Sequence, residues 1–280
     1  MKERPLLMKK ILRVLLGALA FVLITLILYS LWQIYSIRQG YEESARRYDD
    51  LSLAVVAASQ PTAAPPVESR PAGITPSSPP AEEGEAPEET ETSPVSVDFE
   101  ALRQLGGDVI GWICLPDTVI NYPVVQGRDN SYYLDHFPDG TSSVGGSIFA
   151  DCACPSDFSG QNTILYGHNM RDGSMFALID DYIDPAFCEA HPFFYLNTPT
   201  RNYRVDIFAG FTTDPESFVY TTAFGEESDF AAYLNTLRSL SDFSVPTELS
   251  SSDRILTLST CTYSDLDVRY VLFGRLAEIG

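Results

Sequence analysis

The chain has 280 residues, 45% hydrophobic and 20% charged, with 18 basic against 38 acidic side chains and a net charge of −20. This balance excludes nucleic acid as a partner, because phosphate binding needs a basic surface that displaces counterions. It also argues against a domain that lies flat on anionic lipid. Composition is uneven: all three lysines, Lys2, Lys9 and Lys10, precede residue 11, and nine of the 19 prolines lie between Pro61 and Pro94. Only the stretch from about Val97 onward is composed like a packed core, and it is long enough for one domain.

Val14 to Trp32 is a run of nineteen residues without a charge. At 1.5 Å per residue it spans roughly 28 Å, the hydrocarbon thickness of a bilayer. Lys2, Arg4, Lys9, Lys10 and Arg13 precede it against the single acid Glu3, and mixed charges follow. The positive-inside rule then puts residues 1–13 in the cytosol, a transmembrane anchor at 14–34, and the rest outside the cell. A cleaved signal peptide is the competing reading. It fits less well, because Leu31 to Tyr35 follows where a small-residue cleavage site belongs and the Ala-rich stretch at Ala54 to Ala58 is too distant.

Residues 35–97 read as a juxtamembrane segment and a linker, the latter dominated by Pro, Ala, Ser, Thr and Glu from 59 to 96, with six glutamates between Glu82 and Glu91. Such a segment buries too little apolar surface to offset its ordering entropy, so disorder is expected. Proline and like charge keep it extended, up to roughly 3.1 Å per residue, as a tether.

The globular pattern covers 98–280. Asp98 can cap a short helix with Phe99, Leu102 and Leu105 on one face, closed by Gly106-Gly107. Eight β-like runs follow, at Val109–Leu115, Val119–Val125, Ser147–Ala150, Thr163–Tyr166, Phe193–Leu196, Tyr203–Phe211, Arg254–Thr260 and Val268–Leu276. Helices are expected near Met175–Tyr182 and Asp229–Leu240. Many short strands with irregular connections favour a mainly β domain, a closed or partly closed barrel with helical insertions.

Of five cysteines, Cys114, Cys152, Cys154, Cys188 and Cys261, at least one is unpaired within the chain, the number being odd. Cys261 ends a strand, ILTLSTC, ahead of a polar turn. If the last two strands pair antiparallel about Asp265, Leu258 faces Leu272, Thr260 faces Tyr270 and Leu256 faces Gly274, with the leucines toward the core. Cys261 then falls opposite Arg269 on the other face, where Cβ atoms are about 4.5–5.5 Å apart. A one-residue slip would turn the leucines outward. A fixed positive charge favours the thiolate, which is the nucleophile. A cysteine nucleophile also needs an acid/base, most often histidine. His168, in Gly167-His168-Asn169 after the strand-like TILYG, suits a group held at a barrel rim, whereas His136 and His191 read as turn or surface residues. Taken singly, each of these residues has an ordinary structural explanation, a strand-end cysteine being most often a small buried hydrophobe.

TLSTCTYSDLDVR at 257–269 resembles the active-site signature of the sortases, membrane-anchored cysteine transpeptidases of Gram-positive bacteria. NTILYGHNMRDGSMFALIDDY at 162–182 resembles the stretch around their histidine, and GWICLPDTVINYPVVQGRDNSYYL and GGSIFAD resemble class B in particular. The helical insertion before the cysteine strand also fits class B. The resemblance covers about 98–280 and implies a sortase-like closed β-barrel of about eight strands with an N-terminal helix. It implies Cys261 as nucleophile, His168 as general acid/base and Arg269 as donor to the substrate carbonyl or its oxyanion, with no cofactor and no metal. The partners it implies are surface proteins bearing a C-terminal sorting signal, and a peptidoglycan precursor or pilin amine as acceptor. A non-catalytic extracellular binding module and a cysteine hydrolase are the alternatives. Cys152-Ala153-Cys154 lacks a second ligand pair for zinc, although one of the two could pair with Cys188 or Cys114. Asp180-Asp181 reads as a solvated acidic cluster.

Overall fold

The computed structural model describes residues 4–57, 92–106, 108–261 and 268–279. The Pro/Glu-rich stretch expected to be disordered lies, from 58 to 91, outside the described residues, as does the centre of the expected turn about Asp265. The chain divides into two compact units, the first ending at Arg47 and the second running from Tyr48 to Gly280.

Helix α1 spans Arg4–Ala57. Its apolar stretch leaves Leu19, Phe21, Ile24 and Leu28 exposed, and the helix is long and apolar enough to cross a membrane. It continues well beyond residue 34. Tyr48, Leu51 and Val55, spaced to share one face, are buried in the second unit. There the Tyr48 hydroxyl donates to the Gly146 carbonyl (2.6 Å), and Asn121 donates to Ser52 Oγ (2.8 Å) while accepting from the Trp112 indole (2.6 Å). The second unit therefore begins ahead of the Pro-rich stretch, which the shift in composition near Val97 does not reveal.

Asp98 caps α2 (Phe99–Leu105), its carboxylate accepting from the backbone N–H of Glu100 and Ala101. Among the described residues eight strands follow: β1 (Val109–Cys114), β2 (Asn121–Val125), β3 (Ile148–Ala150), β4 (Asn162–Tyr166), β5 (Phe193–Asn197), β6 (Asn202–Thr213), β7 (Ile255–Cys261) and β8 (Arg269–Ile279). They close a barrel in the order β1-β2-β3-β4-β7-β8-β6-β5. The β2–β3 and β4–β7 pairs are parallel and the others antiparallel. β2 starts two residues later than the apolar run predicts. The chain is still turning at Val119, with Asp117 at φ 61° and Leu115 N–H bonded to the Ile120 carbonyl.

The last two strands pair in the predicted register. Leu256 faces Gly274, Leu258 faces Leu272, Thr260 faces Tyr270 and Cys261 faces Arg269. Leu256, Leu258 and Leu272 are buried, but so are Ile255, Thr257 and Ser259 on the alternate face. The cover on that face is α4 (Glu227–Leu240), whose Phe230, Tyr233, Leu234 and Leu237 pack on Ile255, Val271 and Phe273. Full burial of each such side chain contributes about 2 kcal/mol. The Asp229 carboxylate accepts from Glu226 N–H and closes the first turn of α4.

One helical reading is corrected, and one helix was not predicted. The helix expected at Met175–Tyr182 is a 3₁₀ helix at Ala177–Ile183, because Met175 sits at φ 57°, where a helix cannot start. A further helix, α3 (Pro185–Ala190), follows it; Asp184 accepts from Ala186 N–H, with proline at the first helical position. Cys114, Cys152, Cys154 and Cys188 are free thiols, so none of the pairings considered from sequence is formed among them. Asp180 is half-buried rather than solvated. It accepts from the Asn169 side chain at 3.0 Å, and burial raises its carboxyl pKa.

Candidate active site

The end of β4 and the end of β7 build the site together. Because these strands run parallel, Tyr166 pairs with Ser259 and both chains leave the barrel at one rim. Gly167 N–H donates to the Ser259 carbonyl (3.2 Å), and the Thr260 hydroxyl donates to the Gly167 carbonyl (2.8 Å). These bonds fix the chain immediately before His168 and immediately before Cys261.

His168 is half-buried, and its Nε2 lies 2.7 Å from the Leu134 carbonyl oxygen. A carbonyl only accepts, so Nε2 is the donor in this contact and Nδ1 is the ring nitrogen left outside it. The loop that follows is closed on itself. Phe176 N–H donates to the His168 carbonyl (2.9 Å), and Asn169 bridges to Met175.

Arg269, half-buried at the start of β8, is paired with Cys261 on one side and Thr213 of β6 on the other. Its side chain and that of His168 line one cleft of about 260 Å³, to which Ser259 and Thr260 of β7 also contribute. The Cys261 backbone continues that strand; its side chain lies outside the described residues. The imidazole and the guanidinium expected from sequence thus share a cleft, at the strand end that carries the cysteine.

Sequence reasoning missed the remaining walls. Asn130 contributes from a loop and Leu134 from the 3₁₀ turn Tyr132–Leu134 that follows it, Phe149 and Tyr166 from β3 and β4, and Pro215 and Tyr220 from the segment before α4. Tyr166 stands between the Phe149 and Tyr220 rings, with centroids at 5.3 and 6.2 Å, and the Tyr220 and Ser259 hydroxyls are 3.0 Å apart. Only Tyr166 carried a local signal, a polar-tipped aromatic two residues before His168. A wider groove of about 930 Å³ runs beside Asp180, Asp181 and Asp184, but neither His168 nor Arg269 lines it. His136 stacks on Tyr132 (4.1 Å) and meets Asp135 at 2.6 Å, and His191 caps α3; neither lines the cleft. Among the described residues no group of three His, Cys, Asp or Glu side chains is placed to hold a metal ion.

Residues 113–277, the barrel from β1 into β8, match the model of the Sortase domain. The chain belongs to the sortase family. This sortase is 42% identical over 177 residues to sortase B of Listeria monocytogenes, covering 62% of this chain and 72% of that protein. Its fold is similar to Staphylococcus aureus sortase B in a substrate complex, at a TM-score of 0.62 and 32% identity, covering 65% of this chain and 85% of the other. Clostridium perfringens sortase B matches at a TM-score of 0.61 and 32% identity, covering 64% and 100%. The sortase is therefore of class B, and as a member of this family it is a cysteine transpeptidase.

Proposed function

We propose that this sortase cleaves a C-terminal sorting signal and transfers the acyl group to an amine of peptidoglycan or of a pilin, with Cys261, His168 and Arg269 as its catalytic residues. The Cys261 thiolate attacks the carbonyl carbon of a Thr–Gly-type bond. The oxygen takes the electron pair and is stabilised by the Arg269 guanidinium. As the C–N bond breaks, protonated His168 gives its proton to the departing amine, leaving a thioester. An incoming amine, deprotonated by His168, attacks the thioester and releases Cys261. The observation that supports this reading most directly is the single cleft shared by His168 and Arg269 at the end of the cysteine strand.

The tether fits the same reading. Lys2, Arg4, Lys9, Lys10 and Arg13 hold the N-terminus in the cytosol, and 14–34 spans the bilayer. The remainder, including the catalytic domain at 98–280, then faces secreted substrates. Cys261→Ala tests the assignment: cleavage of sorting-signal peptides and trapping of the thioester are both lost. Residual turnover in that variant refutes it. Mass spectrometry of products with and without added amine separates a transpeptidase from a hydrolase.

A further inference from the structure

Asp151 immediately follows β3 and does not itself line the cleft, yet every polar atom it has is engaged. Its N–H donates to the Ile164 carbonyl (2.9 Å), and its carbonyl accepts from Gln126 Nε2 (2.8 Å) and Cys154 N–H (3.0 Å). Its carboxylate Oδ1 accepts from Ala153 N–H (2.8 Å). The other oxygen, Oδ2, accepts from two side chains at once, the Tyr166 hydroxyl at 2.9 Å and the Asn130 amide at 2.8 Å. Both of these residues do line the cleft. Asn130 is held at its other end too, its Oδ1 accepting from Cys152 N–H at 2.8 Å.

This arrangement fixes the polarity of the wall. Tyr166 has one hydroxyl proton and gives it to Asp151, so its oxygen is left to accept. Burial, joined by the Asp151 charge, pushes the Tyr166 phenol well above its ordinary value and keeps that proton in place. Asn130 gives one amide hydrogen to Asp151 and retains one to donate. A peptide backbone carries the matching pair, one N–H and one carbonyl.

We infer that Asp151 is a positioning residue for the acyl-donor peptide: its carboxylate holds Tyr166 and Asn130 so that the cleft wall offers one acceptor and one donor. The inference rests on the reading of the cleft as the acyl-donor site.

The test uses the full chain in detergent with a fluorescent sorting-signal peptide that the wild-type protein cleaves. Asp151→Asn and Asp151→Ala are expected to raise KM about tenfold and lower kcat less than threefold. The pH profile of Cys261 alkylation by iodoacetamide is expected to stay unchanged, since Asp151 acts on the wall and not on the thiol. In a Tyr166→Phe, Asn130→Ala background, adding Asp151→Asn is expected to cost no further KM, because both residues it positions are already disabled. An unchanged KM in both Asp151 variants, or a further tenfold rise in that background, overturns the inference. Loss of alkylation together with a lowered Tm also overturns it, by making Asp151 a general fold residue. A wild-type protein that cleaves no peptide in a sorting-signal panel refutes the acyl-donor reading itself, and the role of Asp151 with it.

Discussion

The Thr260 hydroxyl donates to the Gly167 carbonyl at 2.8 Å, tying the residue before Cys261 to the residue before His168. Thr260 is 2% exposed, so the bond is shielded from water. Thr260→Val keeps the shape and removes the donor, leaving a carbonyl short of a partner at a cost of about 1–3 kcal/mol. Peptide cleavage by this variant is expected to lose kcat more than KM, with Tm lowered by a few degrees. Thr260→Ser, which restores the hydroxyl, is expected to recover most of the rate.

Gly167 leaves no room for a side chain. A Cβ there would lie 2.5 Å from Ile148 Cδ1 and 2.7 Å from the Phe176 ring. Gly167→Ala is expected to destabilise the domain by about 1–3 kcal/mol through overpacking. It also shifts His168, so activity falls more than stability alone explains. Thermal unfolding and cleavage assays on Gly167→Ala, alone and with Ile148→Val to open space, check both parts.

The four described thiols divide by burial. Cys152 is exposed, while Cys114, Cys154 and Cys188 are buried and their pKa values raised by desolvation, Cys114 to about 11. A maleimide at neutral pH is expected to modify Cys152 and to spare those three until denaturant is added, as peptide mapping will show. The same burial sets a pH dependence. Between about 9 and about 11 the unfolded Cys114 thiol ionises while the folded one stays protonated. The unfolded state then binds fewer protons, and stability falls as pH rises through that window. Denaturant titrations at pH 8 and 11 are expected to show that loss, reduced in Cys114→Ala.

Asn162 joins β4 to the segment that leads into α4. Its side chain, fully buried, donates toward the Val219 and Thr221 carbonyls and Tyr233 Oη and accepts from Thr257 at 2.7 Å. Asn162→Ala strips partners from several buried groups and is expected to cost about 3 kcal/mol or more. Hydrogen exchange is expected to quicken between 218 and 240, and KM to rise, because Tyr220 lines the cleft.

The barrel was legible because its information is local. Strand alternation, the run ILTLSTC and the capping Asp98 are each readable within a dozen residues, and the predicted register puts the leucines of β7 and β8 on one face. The pairing of Cys261 with Arg269 followed from that register. The 3₁₀ helix at Ala177–Ile183 is expected from sequence to start at Met175, because periodicity cannot show that Met175 takes a left-handed backbone. Helix α3 was missed although Asp184-Pro185 is a recognisable start, its six residues being too few for a periodic pattern. Apart from Tyr166, two residues before His168, the walls of the cleft were not legible. Asn130 and Tyr220 reach Tyr166 from segments between distant strands, and no spacing along the chain encodes that meeting.

The parallel seam between β4 and β7 makes the spacing of the chemical groups a matter of ladder steps, since a neighbouring strand sets each position and loop length does not. Within the span from Asn169 to Asp253, the connections outside β5, β6 and α4 are then free to grow, shrink or exchange under selection while the two strand tips stay level. Variation among relatives should accordingly gather in that span, where new cargo or acceptor preferences can arise without retuning the reaction.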